Sequence, residues 1–369
     1  ITTANVTALS STQVAALTTS QVSVLSTSQV VALETSDIAA LSTGQVAALT
    51  TAHVNVLSTA SVGVMNTAQV AALTTAQVQA LTTANVASLS TSQLQVLSSD
   101  QVAAFSTAQV SALTTTEAAT LSAGQARALT TAQVQVLNTS NLQALKLASV
   151  EAMTSTQLQV LSTTQLNALE TEDFASLTDT QIKALTTAQV QALTTSAITS
   201  LSGDQVSKFT TAQVAVVTTT NVAALSADQV AAMTTAQVGT LSTAQVQVIG
   251  TSAVAAMTTT QVATLSTAQV AVLTTGQVSV LTANEVKALS TGQVQALSTS
   301  QVNALTNANV SALTTGQVNA LTTAQVNALT SSAVTALGTA QVQALSTGQV
   351  QAITTANVTA LSSTQVAAL

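Results

Sequence analysis

The sequence predicts an all-α solenoid made of very short capped helices, one for each eight-residue repeat. Three observations predict this fold: an octad that repeats without insertion or deletion, a helix-start signal in each octad, and a period that one continuous helix cannot accommodate. The octad stays in phase from Val6 to Val366, which makes about 46 copies. A strict short period is typical of solenoids and fibres, in which each repeat contacts only its neighbours.

The octad Ser10 to Leu17 reads S-S-T-Q-V-A-A-L, and its residues define positions 1 to 8. Position 1 is Ser or Thr in nearly every octad, and these side chains cap helices because their oxygen accepts a bond from a free backbone N–H. Position 4 is Gln in about two-thirds of octads. Ser/Thr-x-x-Gln is the capping box, and the Leu before it and the Val after it occupy the two places of the hydrophobic staple. Each octad therefore predicts the start of a helix.

The charged residues support this prediction, because acids favour the first turn of a helix and bases favour the last. Nine of the twelve acids fall at positions 2 to 4, in the first turn. Four of the five bases fall in the second turn, and the exception is Lys146, at a cap position. The nine acids are Asp37, Asp100, Glu117, Glu172, Asp173, Asp179, Asp204, Asp228 and Glu285, and the four bases of the second turn are Arg127, Lys183, Lys208 and Lys287.

A continuous helix is excluded because eight residues would rotate the Val/Leu stripe by about 80° per repeat. We therefore expect helices of about seven residues, joined head to tail through one capping residue. The alternative fold is a parallel β-solenoid, since Val and Thr favour strands. Ala, Leu and Gln favour the helix, and no fixed Gly, Asn or Asp is present to turn the corner of a rung.

Helices this short are stable only when they pack, so we expect Val, Ala and Leu of successive octads to share one core. Position 7 is small or Val almost throughout, with Lys208 as the exception, and the variable position 6 predicts the solvent face. Ile1 and Leu369 both occupy position 8, so neither end differs from the middle. Residues 1–369 are expected to be one continuous array, either a window of a longer array or a subunit that stacks end to end.

The composition excludes several classes of protein. Charged residues make up 5% of the chain and the basic ones are not clustered, so nucleic-acid binding is not expected. Every apolar run is interrupted within about five residues, so neither a transmembrane span nor a signal peptide is expected. The absence of Cys excludes disulfides and thiolate metal sites.

No catalytic, cofactor or metal site is predicted. His53, the single histidine, occupies the Gln position and is expected to be a surface variant, so nucleophilic catalysis lacks a base and the protein is not expected to be an enzyme. The triplet Glu170, Glu172 and Asp173 lacks the spacing of a calcium loop. Three other groups of residues are explained by the repeat itself. The phenylalanines are expected in the core, at Phe105, Phe174 and Phe209, and the glycines fill small positions of the octad, as at Gly44, Gly124, Gly203 and Gly276. The N-x-S/T sequons are expected by chance in a chain rich in Ser and Thr; they begin at Asn5, Asn138, Asn309 and Asn357.

The whole chain resembles the repeat regions of very large bacterial extracellular proteins, often described as adhesins. A representative copy is T-A-Q-V-Q-A-L at residues 75–81. The resemblance implies export and a role at the cell surface or in a matrix, with no functional residues to transfer. We expect a structural protein that associates with itself in a fibre, filament or sheath, and whose exposed hydroxyls are compatible with O-glycosylation.

Two other functions follow from the same residues. A regular array of Thr, such as Thr19, Thr27, Thr35, Thr43 and Thr51, predicts an ice-binding face if these side chains share one surface. A solenoid with a concave face is also compatible with an adhesin stalk or a scaffold that binds partners, although identical repeats offer little basis for specific recognition.

Overall fold

The computed structural model describes residues 2–369, which form 46 short α-helices and no strand within that range. Ile1 and its predicted place at position 8 lie outside the described residues. The prediction of an all-α repeat solenoid is confirmed, and the alternative of a β-solenoid is wrong. None of the helices within residues 2–369 has the length and apolar character needed to cross a bilayer.

The chain divides into two compact units, and the first ends at Leu185. Its helices are α1 (Thr3–Thr7), α2 (Ser11–Ala15), α3 (Thr19–Ser23), α4 (Thr27–Val31), α5 (Thr35–Ala40), α6 (Thr43–Ala48), α7 (Thr51–Asn55), α8 (Thr59–Gly63), α9 (Thr67–Ala71), α10 (Thr75–Ala80), α11 (Thr83–Val86), α12 (Thr91–Gln95), α13 (Ser99–Ala103), α14 (Thr107–Ser111), α15 (Thr115–Ala118), α16 (Ala123–Ala128), α17 (Thr131–Gln135), α18 (Thr139–Gln143), α19 (Leu147–Glu151), α20 (Ser155–Gln159), α21 (Thr163–Leu166), α22 (Thr171–Ser176) and α23 (Asp179–Ala184).

The second unit begins at Thr186. Its helices are α24 (Thr187–Gln191), α25 (Thr195–Ser200), α26 (Gly203–Lys208), α27 (Thr211–Val216), α28 (Thr219–Ala223), α29 (Ala227–Ala232), α30 (Thr235–Thr240), α31 (Thr243–Val248), α32 (Thr251–Ala255), α33 (Thr259–Thr264), α34 (Thr267–Ala271), α35 (Thr275–Ser279), α36 (Ala283–Ala288), α37 (Thr291–Ala296), α38 (Thr299–Asn303), α39 (Asn307–Ala312), α40 (Thr315–Ala320), α41 (Thr323–Ala328), α42 (Ser331–Thr335), α43 (Thr339–Gln343), α44 (Thr347–Gln351), α45 (Thr355–Ala360) and α46 (Ser363–Val366).

The helices have four to six residues, so the predicted length of about seven is wrong. Each helix ends earlier than predicted because two residues with extended backbone, and not one, connect it to the next helix. Between α5 and α6 both Leu41 (φ −59°, ψ 138°) and Ser42 (φ −71°, ψ 161°) have extended backbone. The capping box begins the next helix as predicted, since the Gln45 N–H donates to Ser42 Oγ and the Ser42 N–H donates to Gln45 Oε1.

Three helices complete one turn of the solenoid in each unit. Helix α10 packs against α7 and α13, and in the second unit α37 packs against α34 and α40. Each helix thus stacks on the one three places, or 24 residues, earlier, so residues 24 apart share a face. This stacking explains how helices too short to be stable alone persist, because each one is covered by its neighbours above and below.

The centre of the solenoid is filled by apolar side chains at positions 5 and 8. Val78 at position 5 is 0% exposed and Leu81 at position 8 is 4% exposed, and these values recur along the chain. Phe105, Phe174 and Phe209 are buried in the core as predicted. Lys208, the exception at position 7, forms an ion pair: its Nζ lies 3.1 Å from Asp204 Oδ1, one helical turn earlier.

Candidate functional site

The feature that recurs most regularly after the core is a bond between turns made by the Gln at position 4. Gln77 shows its geometry. Its Oε1 accepts the Thr74 N–H at 2.7 Å, which is the predicted capping box, while its Nε2 donates to the carbonyl oxygens of Val46 at 2.8 Å and Leu49 at 2.7 Å. We call this second set of bonds the inter-turn clamp.

The inter-turn clamp is repeated in both units. In the second unit, Gln277 accepts the Thr274 N–H and donates to the carbonyls of Val246 at 2.9 Å and Ile249 at 2.7 Å. The acceptors are always 28 to 31 residues earlier, at the C-terminal end of a helix in the previous turn. The Val46 carbonyl also accepts the Leu49 N–H at 3.1 Å, so the amide adds a second bond at the end of that helix. One buried amide therefore caps its own helix and satisfies the end of another.

The clamp explains why Gln is preferred over other capping-box residues, which the sequence did not reveal. Asn is shorter, and at Asn141 it keeps only the inter-turn bond: its Nδ2 donates to Leu113 O at 2.8 Å, and the helix begun by Asn138 has no capping box. Asn5, in the first turn, forms the capping box instead. Ser149 likewise donates to Leu121 O at 2.8 Å. The preference for Gln over Asn and Ser follows because its amide is long enough to serve both contacts at once.

His53 is buried, so its predicted place on the surface is wrong. Its Nδ1 accepts the Thr50 N–H at 3.2 Å, and its Nε2 lies 2.7 Å from Leu25 O. This geometry fits the tautomer that carries its proton on Nε2. The imidazole then reproduces the acceptor and donor of Gln, which is a structural role and leaves no free nitrogen for a substrate.

Carboxylates at position 4 keep the capping box but cannot donate to the previous turn when ionised. Glu117 is 3% exposed, and its Oε2 accepts both the Thr114 N–H at 2.6 Å and the Thr114 hydroxyl at 2.8 Å. Its buried Oε1 has no hydrogen-bond partner. Glu117 is therefore a point at which the series of clamps is interrupted in the first unit.

Asp173 is a second such point, and it belongs to the acidic triplet. It is buried, and its Oδ2 accepts the Glu170 N–H at 2.9 Å, whereas Glu170 and Glu172 are exposed. Burial raises the pKa of Asp173 above its ordinary value; the Glu170 N–H opposes this, and the charges of Glu170 and Glu172 add to it. Within residues 2–369, no three His or acidic side chains are placed to share a metal ion.

Replacing Asp173 by Asn is expected to stabilise α22 at neutral pH and to have a smaller effect in acid. Because the pKa of Asp173 is raised in the folded state, protonation favours folding below about pH 4, and this contribution is lost as the pH rises through the folded pKa. The measurement is hydrogen exchange of residues 170–177 between pH 4 and 7. Asp100→Asn, at an exposed site, is the control, and equal behaviour of the two variants would contradict the prediction.

The variable position 6 is not only a solvent face, because four amides there form a second, outer set of bonds. Each donates to the position-7 carbonyl one turn later, 25 residues along the chain. The pairs are Asn55 with Ala80, Gln159 with Ala184, Asn319 with Ala344 and Asn327 with Ala352, at 2.8 to 3.1 Å.

The Thr residues grouped from the sequence do not share one surface. Three helices make a turn, so Thr19 and Thr43 stack on one face, Thr27 and Thr51 on a second, and Thr35 on the third. This corrects the arrangement on which the prediction of an ice-binding face depended.

Two of the four sequons are also inaccessible in the folded chain. Asn309 and Asn357 are buried and donate to the carbonyls of Leu281 and Leu329. Asn5 and Asn138 remain exposed. No glycine of the described residues has a positive φ; Gly44 and Gly124 lie within helices, whereas Gly250 and Gly338 are N-caps with extended backbone.

Two small cavities lie in the interior of the second unit. In the second unit, one cavity of about 20 Å³ lies among Phe209, Val217 and Met233. A second of about 10 Å³ lies among Leu321, Leu337 and Ile353. A single water molecule needs a comparable volume and polar partners as well, so both are packing defects between apolar side chains.

Comparison with known proteins gives one family. The sequence model of the ALTTAQ repeat matches residues 1–35, 30–63, 51–83, 62–91, 83–115, 166–203, 206–243, 235–267, 246–283, 284–315, 310–347 and 334–369. The letters of its name occur at residues 72–77, and the matches omit residues 116–165 and 204–205. A search of curated proteins finds no match.

Proposed function

The chain belongs to the ALTTAQ repeat family, and from this premise we propose that it is a structural, non-enzymatic protein that associates with itself in a fibre or sheath at the cell surface. The observation that carries the proposal is the inter-turn clamp. It bonds each turn to the one before through a buried amide, as Gln77 and Gln277 illustrate. A chain built this way resists extension and bending within each unit.

The surface chemistry supports the self-association. Charged residues make up only 5% of the chain, whereas well-dispersed protein surfaces carry about 25–35%. Few charges leave little repulsion between copies, and small uncharged side chains at positions 2 and 3 let backbones approach closely. The position outside the cell is supported by the likeness of the repeats to those of large bacterial surface proteins.

The proposal is tested by sedimentation velocity of the purified chain over a hundredfold range of concentration, followed by electron microscopy of the largest species. We expect assemblies that grow with concentration and show ordered lateral contacts. A single species of monomer mass at all concentrations would overturn the self-association, and recovery of the native protein from the cytosolic fraction would overturn the surface location.

A further inference from the structure

The charged residues of the first unit are confined to two of its three faces. A face is defined as the outward residues of helices that stack directly on one another. The first face carries six outward charged residues: Asp100, Arg127, Lys146, Glu151, Glu170 and Glu172; it is formed by α1, α4, α7, α10, α13, α16, α19 and α22. The second face carries Glu34, Asp179 and Lys183 and is formed by α2, α5, α8, α11, α14, α17, α20 and α23. On the third face, formed by α3, α6, α9, α12, α15, α18 and α21, the one charged residue is the buried Glu117.

The same third face has Thr at position 2 in every turn. On the other two faces this row is interrupted by Ser, Ala, Leu or Asp, for example at Ala123, Leu147 and Asp179. None of the seven Thr hydroxyls on the third face bonds to another group of the described residues, and all seven side chains are exposed or half-buried. The row consists of Thr19, Thr43, Thr67, Thr91, Thr115, Thr139 and Thr163.

The second unit, taken by itself, also has one face on which the absence of charged residues and a row of Thr at position 2 occur together. The face of α25, α28, α31, α34, α37, α40, α43 and α46 carries no charged residue, whereas its other two faces hold Asp204, Lys208 and Asp228, or Lys287. The uncharged face again has Thr at position 2 from α25 to α43, with Ser363 in α46, and the Thr195 hydroxyl donates to Asn221 Oδ1 at 3.0 Å. That row consists of Thr195, Thr219, Thr243, Thr267, Thr291, Thr315 and Thr339.

The two properties together favour contact with an identical surface. When two copies pair through the same face about a twofold axis, a charge near the axis opposes the same charge of the partner, whereas a neutral face has no such repulsion and no charges to desolvate. A hydroxyl can both donate and accept, so a row of Thr can bond to another row of Thr. The face formed by α19 and α22, with Lys146, Glu151, Glu170 and Glu172, has neither advantage.

We propose that the uncharged Thr face of each unit is the surface through which two copies of this chain associate side by side. This inference rests on the proposed self-association and adds its location. Because the contact contains no ion pairs, the association constant should change less than about twofold between 50 mM and 500 mM salt.

The test places acids on the Thr faces and compares them with the same change elsewhere. Asp is suitable because Asp179 already occupies position 2 of α23, and an acid there favours the start of a helix. The test variant combines Thr43→Asp, Thr67→Asp, Thr115→Asp, Thr219→Asp, Thr243→Asp and Thr291→Asp. The control combines Thr59→Asp, Thr83→Asp, Thr107→Asp, Thr251→Asp, Thr275→Asp and Thr299→Asp, at the same helix position on other faces. Circular dichroism checks that both variants fold. If a variant with six substitutions does not fold, the three substitutions within one unit are tested instead.

We expect sedimentation velocity to show an association constant reduced about a hundredfold or more for the test variant and about tenfold or less for the control. If the wild-type chain and both variants associate equally, the location is wrong while the self-association stands. If the wild-type chain is monomeric, the proposed function itself fails. Thermal hysteresis by a monomeric wild-type chain that only the test variant loses would assign the Thr faces to ice and overturn the inference.

Discussion

Replacing Gln77 by Glu is expected to destabilise the turn that contains α10 by about 3 kcal/mol, because a buried donor is exchanged for an acceptor. The carboxylate can still accept the Thr74 N–H, so the capping box survives. The carbonyls of Val46 and Leu49 lose the amide donor and face a negative oxygen instead, although Val46 O keeps its bond from the Leu49 N–H. Hydrogen exchange measured peptide by peptide should accelerate about a hundredfold in residues 42–81 and stay unchanged elsewhere in the array.

Two other substitutions separate the inter-turn clamp from the capping box. Gln13→Glu is the control, since Gln13 makes the same box with Ser10 but is exposed and has no inter-turn bond. It should change exchange by less than about threefold. Glu117→Gln is the reverse change and should stabilise its turn by about 1–2 kcal/mol, because the unpartnered Oε1 becomes a donor. Equal effects of the changes at Gln77 and Gln13 would show that the clamp contributes nothing.

Replacing Gly203 by Ala is expected to destabilise the contact between α26 and α29 by about 2 kcal/mol, since the added methyl group overfills a packed site. A Cβ at this residue would lie 2.9 Å from Asp228 O and 3.0 Å from Ala232 Cβ. The first neighbour is backbone and cannot rotate away, so α29 would have to move. The measurement is hydrogen exchange of residues 203–232 together with the thermal unfolding midpoint.

Gly63→Ala is the matched control. Gly63 is also helical and has nothing within 4 Å of its added Cβ. Removing a helical glycine restricts the unfolded chain, so this change should stabilise α8 by about 0.5–1 kcal/mol. A stabilising effect of Gly203→Ala would mean that the close approach of α29 is not a constraint. Most turns carry Thr at the position of Gly203, so the constraint is local to this pair of helices.

Local chemistry could be predicted from the sequence because it acts over a few residues. The cap at Ser42, the box with Gln45 and the acids of the first turn follow from hydrogen-bonding rules within one octad. The burial of Val and Leu follows from the same period. The helix length was overestimated because the corner uses the Leu residue as well as the cap, and this depends on how the next helix must turn to stack.

The second bond made by Gln, by contrast, joins residues 28 to 31 apart, and nothing within an octad indicates which residue will lie there. The burial of His53 could have been anticipated, since an imidazole can supply the acceptor and donor of an amide. The distribution of charges among three faces could not, because it appears only when three helices are known to make a turn.

A series of capped helices with an apolar core can be predicted from the octad alone, because capping and amphipathic burial depend on neighbours in the chain. That a turn has 24 residues, that Gln bonds one turn to another and that each unit has one face without an exposed charge become visible only in the folded chain. These properties depend on the angle between successive helices at the Leu and Ser/Thr residues that connect them. The stacking of helices determines this angle, and an eight-residue pattern does not contain it.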